Sequence, residues 1–490
     1  MLFKKKITWV YIISLLFILI NTYLIYKELY YLTLFPIGIL VLLFAFFSID
    51  KLLLLLVFLT PFSIPLSEII PGLDFNMYIP TEPLLFCILI ISIFKILIEQ
   101  KFDKKILLHP ISIAIYVNLT WILITCITST MPVISFKFLL SRLWFIVAFY
   151  FLISQIFRNQ NKIYTFFWLY IISLLIVITY TIIKHIGYGL LNQEAANFVV
   201  NPFFNDHTSY GAVLAMFLPI IIGVLISKRI KPKIKLFVFI VFLIFVFAII
   251  LSYTRATWIS IIVALFVFII IMLKIKFKYI LIVSGILIFF FFTFQNQILM
   301  SLEQNQQESS KNIAEHVQSI SNITSDASNL ERINRWNCAI KMFEEKPVFG
   351  WGPGTYMFNY APFQLSYEKT IISTNAGDKG NAHSEYLGPL AESGFLGMIT
   401  FLIIIITTLY VSIRLYSKLK NRELKIILIS VTLGLITYYF HGFLNNFLDT
   451  DKASIPFWGF TAIILAIDVY HSKYDEELKE KGEIKKIQDQ

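Results

Sequence analysis

Apolar runs of about 20 residues, separated by short polar breaks, recur along most of this chain. A helix rises 1.5 Å per residue, so each run is long enough to cross roughly 30 Å of hydrocarbon. The pattern predicts about 14 spans, over residues 7–26, 29–48, 52–70, 80–98, 109–130, 137–157, 163–186, 208–226, 234–252, 256–274, 278–296, 394–413, 425–442 and 455–471. Pro61 and Pro65 stand where they would break the third run. Removing the second and third runs together, which leaves about 12, preserves the alternation of sides.

One region departs from this pattern. Residues 297–382 hold no apolar run of spanning length and open with the polar stretch 303–310. Trp336, Ala339, Ile340 and Phe343 recur at helical spacing and predict an amphipathic helix over 330–345, ended by Pro347. Gly350-Trp351-Gly352-Pro353-Gly354 then reads as a turn. The expected organisation is an N-terminal transmembrane bundle over 1–296, a large loop over 297–393, three spans over 394–472 and a charged tail over 473–490. No internal repeat is visible. The fold class is all-α, a polytopic helix bundle.

Composition agrees. Hydrophobic residues make up 58% of the chain and charged residues 14%, and mean hydropathy is +0.77. Soluble domains run nearer 25% charged. A net charge of +11 would suggest nucleic acid in a soluble protein, but here the basic residues fall in short breaks between apolar runs. Lys4, Lys5 and Lys6, Lys101, Lys104 and Lys105, Arg158 and Lys162, the 228–235 cluster, the 274–278 cluster and the 414–425 cluster all occupy alternate breaks. The positive-inside rule then puts both termini in the cytoplasm and the large loop outside. The first run reads as a helix that stays rather than a cleaved signal. Cys87, Cys126 and Cys338 form no CxxC pair and no disulfide framework.

Four polar clusters on the outward side are candidates for chemistry. Arg255 opens the tenth span with no acidic residue nearby in sequence, either partnered in a cavity or snorkelling to headgroups beside Trp258. Arg332 and Arg335 lie three apart on the loop helix, before Trp336, and share one face; they form an anion site or a solvated charged face. His383 sits at the outer interface, as a proton-transfer group or a structural histidine. Asp206 and His207 precede a span, as ligand groups or as its cap. A fifth group, His441, Asn445, Asn446, Asp449 and Asp451, ranks below these. The glycine turn follows no strand and is a weak phosphate loop. HExxH and the PCxxC of zinc deaminases are absent, so no metal site is expected.

Taken in order, these segments resemble the O-antigen ligase family, within the superfamily it shares with O-antigen polymerases. The motif opening a late span matches Ser252-Tyr253-Thr254-Arg255-Ala256-Thr257-Trp258. The loop carries Arg332-Ile333-Asn334-Arg335-Trp336 and then Pro347-Val348-Phe349-Gly350-Trp351-Gly352-Pro353-Gly354. It closes with His383-Ser384-Glu385-Tyr386-Leu387 and Glu392-Ser393-Gly394-Phe395-Leu396-Gly397. Ser384 stands where Asn is commoner, and the span count exceeds the family's. The resemblance implies a GT-C-like membrane glycosyltransferase of the bacterial inner membrane, working without cofactor or metal. It would move a glycan from undecaprenyl diphosphate to an acceptor hydroxyl, commonly on the lipid A core, by inversion. Arg255 and Arg332 would clamp the diphosphate, with Arg335 in reserve, and His383 would handle the acceptor's proton. Trp258, Trp336, His207 and Asp206 would line the substrate. A polymerase or a protein O-oligosaccharyltransferase of the same superfamily fits the same motifs. A flippase or other transporter suits the span count but not the missing repeat, and a non-catalytic scaffold is the remaining class.

Overall fold

Hydrophobic segments without internal breakers become long helices here because a helix satisfies every backbone group inside the segment, as hydrocarbon requires. The computed structural model describes residues 2–27, 31–36, 38–39, 44, 47–70, 77–99, 102–273, 327–365 and 380–472. The helices are α1 (Leu2–Tyr26), α2 (Ile49–Leu59), α3 (Thr81–Glu99), α4 (Pro110–Ile127), α5 (Pro132–Ile146), α6 (Gln160–Tyr188) and α7 (Gln193–Val199). Then come α8 (His207–Ile226), α9 (Pro232–Leu251), α10 (Arg255–Met272), α11 (Ala327–Glu345), α12 (Leu387–Lys418), α13 (Arg422–Leu444) and α14 (Asp451–Ala466). Wider π turns prolong α5 and α14 to Ile156 and His471. Among the described residues 10 helices are long and apolar enough to cross a membrane. The chain is an all-α multi-pass membrane protein.

The third expected span, 52–70, is not one helix. α2 ends at Leu59, a tight turn follows over Thr60–Phe62, and β1 (Ile64–Pro65) pairs antiparallel with β2 (Tyr78–Ile79). Pro61 and Pro65 supply no N–H to continue a helix. Ser63, buried between them, donates instead to Asp451 at the start of α14. The expected span 278–296, most of 29–48, the polar stretch 303–310 and the tail lie outside the described residues.

α14 is the centre of the bundle, with every residue from Asp451 to Ala466 buried. α8 and α13 pack against each other beside it, while α1 buries none of its apolar window. Small residues allow the close packing. A Cβ on Gly434 would stand 2.5 Å from the Met216 carbonyl oxygen, and one on Gly211 2.4 Å from Thr257 Oγ1.

α12 starts at Leu387, earlier than the expected boundary of 394, because it runs on through a kink at Gly394, where φ is +70°. The glycine turn crosses this kink backbone to backbone. Gly352 N–H donates to the Glu392 carbonyl at 2.7 Å, Trp351 N–H to that of Ala391 at 3.2 Å, and Phe395 N–H to that of Pro347 at 3.0 Å. A Cβ on Gly350 would lie 2.3 Å from the Glu392 carbonyl carbon, and one on Gly394 2.1 Å from the Val348 oxygen. The glycines exist for this crossing, not for a phosphate, and the Glu392 carboxylate accepts the Tyr356 N–H at 2.9 Å.

The loop helix α11 packs on the start of α12 through a small core of Cys338, Ala339, Met342, Tyr356, Tyr360 and Ala391. Its buried stripe differs from the expected one. Ala339 is inside, but Ile340 is exposed, and Cys338 and Met342 do the packing. Ile340 yields because the helix turns Asn334, Arg335, Cys338 and Ala339 inward instead.

Candidate functional site

The candidate residues come from five helix ends at one end of the bundle. Each arrives for a local reason. Asp206 caps α8, its carboxylate accepting the N–H groups of Thr208 at 2.8 Å and Ser209 at 2.7 Å. Capping fixes His207 as the first helical residue, and the His207 carbonyl accepts the Thr254 hydroxyl at 3.0 Å. That bond ties α8 to the turn between α9 and α10, where Tyr253 adopts φ +48°. Arg255 follows as the first residue of α10. Trp258 closes the same hairpin, donating its indole N–H to the Ile249 carbonyl at 3.2 Å.

Arg332 and Arg335, one turn apart on α11, take different surroundings rather than one shared face. Arg335 is buried against Glu331, Nε to Oε1 at 2.6 Å, with its guanidinium 3.9 Å from the Tyr360 ring centroid. Burial works against its charge, but the Glu331 hydrogen bond and field outweigh that and push its pKa up. Arg332 is half-buried and lies in the electrostatic field of Arg255 and Asp206. Burial first, then Arg255, push its pKa down, and Asp206 opposes them.

His383 is held in a left-handed backbone conformation at φ +47°, an unusual state for a non-glycine residue and a frequent mark of functional strain. Its surroundings enforce it. Asn381 Oδ1 accepts the His383 N–H at 3.0 Å, and Trp336 donates its indole N–H to the His383 carbonyl at 3.4 Å. Ser384 Oγ accepts from Tyr386 N at 3.2 Å and Leu387 N at 3.3 Å, closing the turn that leads into α12. Glu385 N–H donates to the Gly442 carbonyl at 2.7 Å. The Glu385 carboxylate accepts Tyr438 OH at 2.6 Å, Phe447 N–H at 2.7 Å and Leu448 N–H at 2.9 Å. Tyr386 OH reaches the Tyr439 carbonyl at 2.7 Å. The imidazole pKa is pushed down to about 4 by burial, then by the positive Arg332 and Arg335, against the pull of Asp206 and Glu331. His383 is therefore neutral at pH 7 and able to accept a proton.

The structure thus brings Arg255, Arg332, His383 and Asp206 into one electrostatic neighbourhood. Trp258 and Trp336 hold backbone rather than face open space with their indole N–H groups. The low-ranked His441 and Asp451 and the motif residue Glu385 prove to be neighbours of these groups, and Lys452 is one that sequence reasoning left out. His441, near the end of α13, lies within electrostatic reach of Arg332 and Asp206. Glu385 anchors the His383 segment. Lys452 and Asp451 are buried together, with Lys452 Nζ 3.0 Å from the Ser63 carbonyl and Thr81 Oγ1 donating to Asp451. A small cavity whose lining includes Tyr78, Asn205, Asp206, Ser209, Thr450 and Lys452 joins Lys452 to Asp206. An adjacent Asp-Lys opening an apolar run was the visible clue.

The described residues form a multi-pass helix bundle with two arginines, a neutral histidine and an aspartate near one another at one end. Residues 239–402, from α9 into α12, match the family model described as O-antigen ligase. Over these residues the chain is similar to the O-antigen ligases. That match contains Arg255, Arg332 and His383. No curated protein matches the chain.

Proposed function

We propose that this protein transfers a glycan from undecaprenyl diphosphate to an acceptor hydroxyl on the lipid A core, at the outer face of the bacterial inner membrane. The observation that carries this reading is the convergence of Arg255 and Arg332, from α10 and α11, beside a half-buried, neutral His383. Two like charges brought together in a partly buried place raise each other's cost, and an anion between them relieves it. A diphosphate offers acceptor oxygens on both sides, and guanidinium forks match them.

In the step itself the acceptor oxygen attacks the anomeric carbon as the carbon–oxygen bond to the diphosphate breaks. His383 takes the acceptor's proton. The bonding pair leaves on undecaprenyl diphosphate, whose developing charge Arg255 and Arg332 stabilise. Attack opposite the leaving group inverts the anomeric centre. Arg335 holds the loop helix through Glu331 and Tyr360 and acts on His383 through its field. The orientation with this site outside follows from the basic clusters at the other end of the bundle.

Reconstituting the full chain in proteoliposomes with undecaprenyl-diphosphate-linked glycan and lipid A core tests the reading. Glycan on lipid A is the expected product. Lengthened glycan still on its lipid carrier would instead make the protein a polymerase, and no transfer to any acceptor would sink the enzyme reading.

A further inference from the structure

The end of α13 carries polar atoms that the mechanism above does not use. His441 is buried, and its Nε2 accepts a hydrogen bond from Asn445 Nδ2 at 3.1 Å. That bond leaves the ring proton on Nδ1, so Nδ1 is a donor. Among the described residues Nδ1 has no hydrogen-bond partner, and neither does the buried Oδ1 of Asn446, on the same turn. Buried polar atoms without partners are few in native proteins and each needs an explanation. The Phe447 ring, its centroid 5.7 Å from that of the imidazole, and the Asn445 bond fix how the ring lies.

This turn is fastened to the segment that bears His383. Gly442, next to His441, accepts the Glu385 N–H at 2.7 Å, and the Glu385 carboxylate holds the N–H groups of Phe447 and Leu448. His441 is thus one residue from the bond that joins the two segments, and His383 is two residues from it on the other strand of chain.

The chemistry of the two atoms selects the ligand. Phosphate oxygens only accept, and guanidinium groups already face them in the proposed reaction. A neutral donor and a neutral acceptor, five residues apart at the end of one helix, suit a group that does both, which is a hydroxyl. We propose that His441 Nδ1 and Asn446 Oδ1 bind a hydroxyl of the first sugar of the lipid-linked glycan, next to the diphosphate. This rests on the glycosyltransferase reading, and it makes the pair a specificity element for sugar rather than for phosphate.

The test compares sugar-free undecaprenyl diphosphate with undecaprenyl-diphosphate-linked glycan on the purified full chain in lipid nanodiscs. His441→Phe removes the donor, and Asn446→Leu removes the acceptor. Each is expected to raise KM for the glycan donor about tenfold, the loss of one hydrogen bond to a buried partner. Binding of the sugar-free lipid should stay within about twofold. His441→Asn, whose amide nitrogen falls near the position of Nδ1, should recover most of the loss. Unchanged KM in both His441→Phe and Asn446→Leu overturns the proposal, as does an equal loss of sugar-free binding, which would mean that the turn holds phosphate or only structure. Should His441→Phe fail to fold, shown by loss of sugar-free binding and an aggregated elution profile, Asn446→Leu and His441→Asn decide alone. Wild-type protein that neither binds the sugar-free lipid nor transfers glycan would instead sink the underlying enzyme reading.

Discussion

The two ends of the helix bundle handle charge in opposite ways. Away from the large loop, charges close on one another. Asp468 accepts from Arg414 at 2.7 Å and lies 3.2 Å from His109 Nε2. Glu423 takes the Ser227 hydroxyl and the Lys228 N–H together. At the loop end Arg255, Arg332, His383 and His441 gather around Asp206, while Glu331 is committed to Arg335. The first end is a network of ion pairs and hydrogen bonds. The second brings two arginines and two histidines near one aspartate among the described residues.

The sharpest way to break this contrast is at the loop end. Arg332→Ala and Arg255→Lys should each lower glycan transfer at least a hundredfold, since the clamp acts where charge develops and a lysine cannot fork. Near-normal transfer in cells carrying either variant would remove the clamp. Next in size, Gly394→Val or Gly350→Val should prevent accumulation of folded protein, because a side chain at either site meets backbone that cannot yield. Recovery of normal amounts in membranes would show that the crossing tolerates what its geometry forbids.

Arg335→Ala separates two arginines that the sequence presents as equivalents. It leaves Glu331 buried without its partner and should cost about 3–5 kcal/mol of stability, read as a lowered melting temperature in detergent. Arg332→Ala should leave that temperature nearly unchanged. A pH profile sharpens the contrast further. With the His383 pKa lowered to about 4, its neutral form persists as pH falls, and kcat/KM should hold down to about pH 4 before declining. That parameter reports the free enzyme, and an acid limb near an ordinary histidine's pKa would show that His383 is not the base. The smallest effect is expected at the other end, where Asp468→Asn should cost less than about 1 kcal/mol and leave transfer intact.

Much of this was legible in the chain. The spans follow from run length, and α11 from its spacing, because hydrocarbon and helix geometry act locally on neighbouring residues. The glycine motifs were visible as well, but their meaning was not. Only the crossing of the 347–354 turn over the kinked α12 explains why Gly350 and Gly394 stand where they do.

Sequence by itself determined that the protein is a membrane helix bundle with a polar loop, and it nominated Arg255, Arg332 and His383. Length and hydropathy decide insertion segment by segment, so no partner need be known. Tertiary structure alone decided that Arg332 faces the cluster while Arg335 is taken up by Glu331 and Tyr360. It alone placed His441, which the sequence ranked low, within electrostatic reach of Arg332, and it alone put Ser63, in the break expected from Pro61 and Pro65, on Asp451. These are contacts between helices far apart in the chain. Burial and field at such a contact depend on which ends the packing brings together, and no local pattern encodes that.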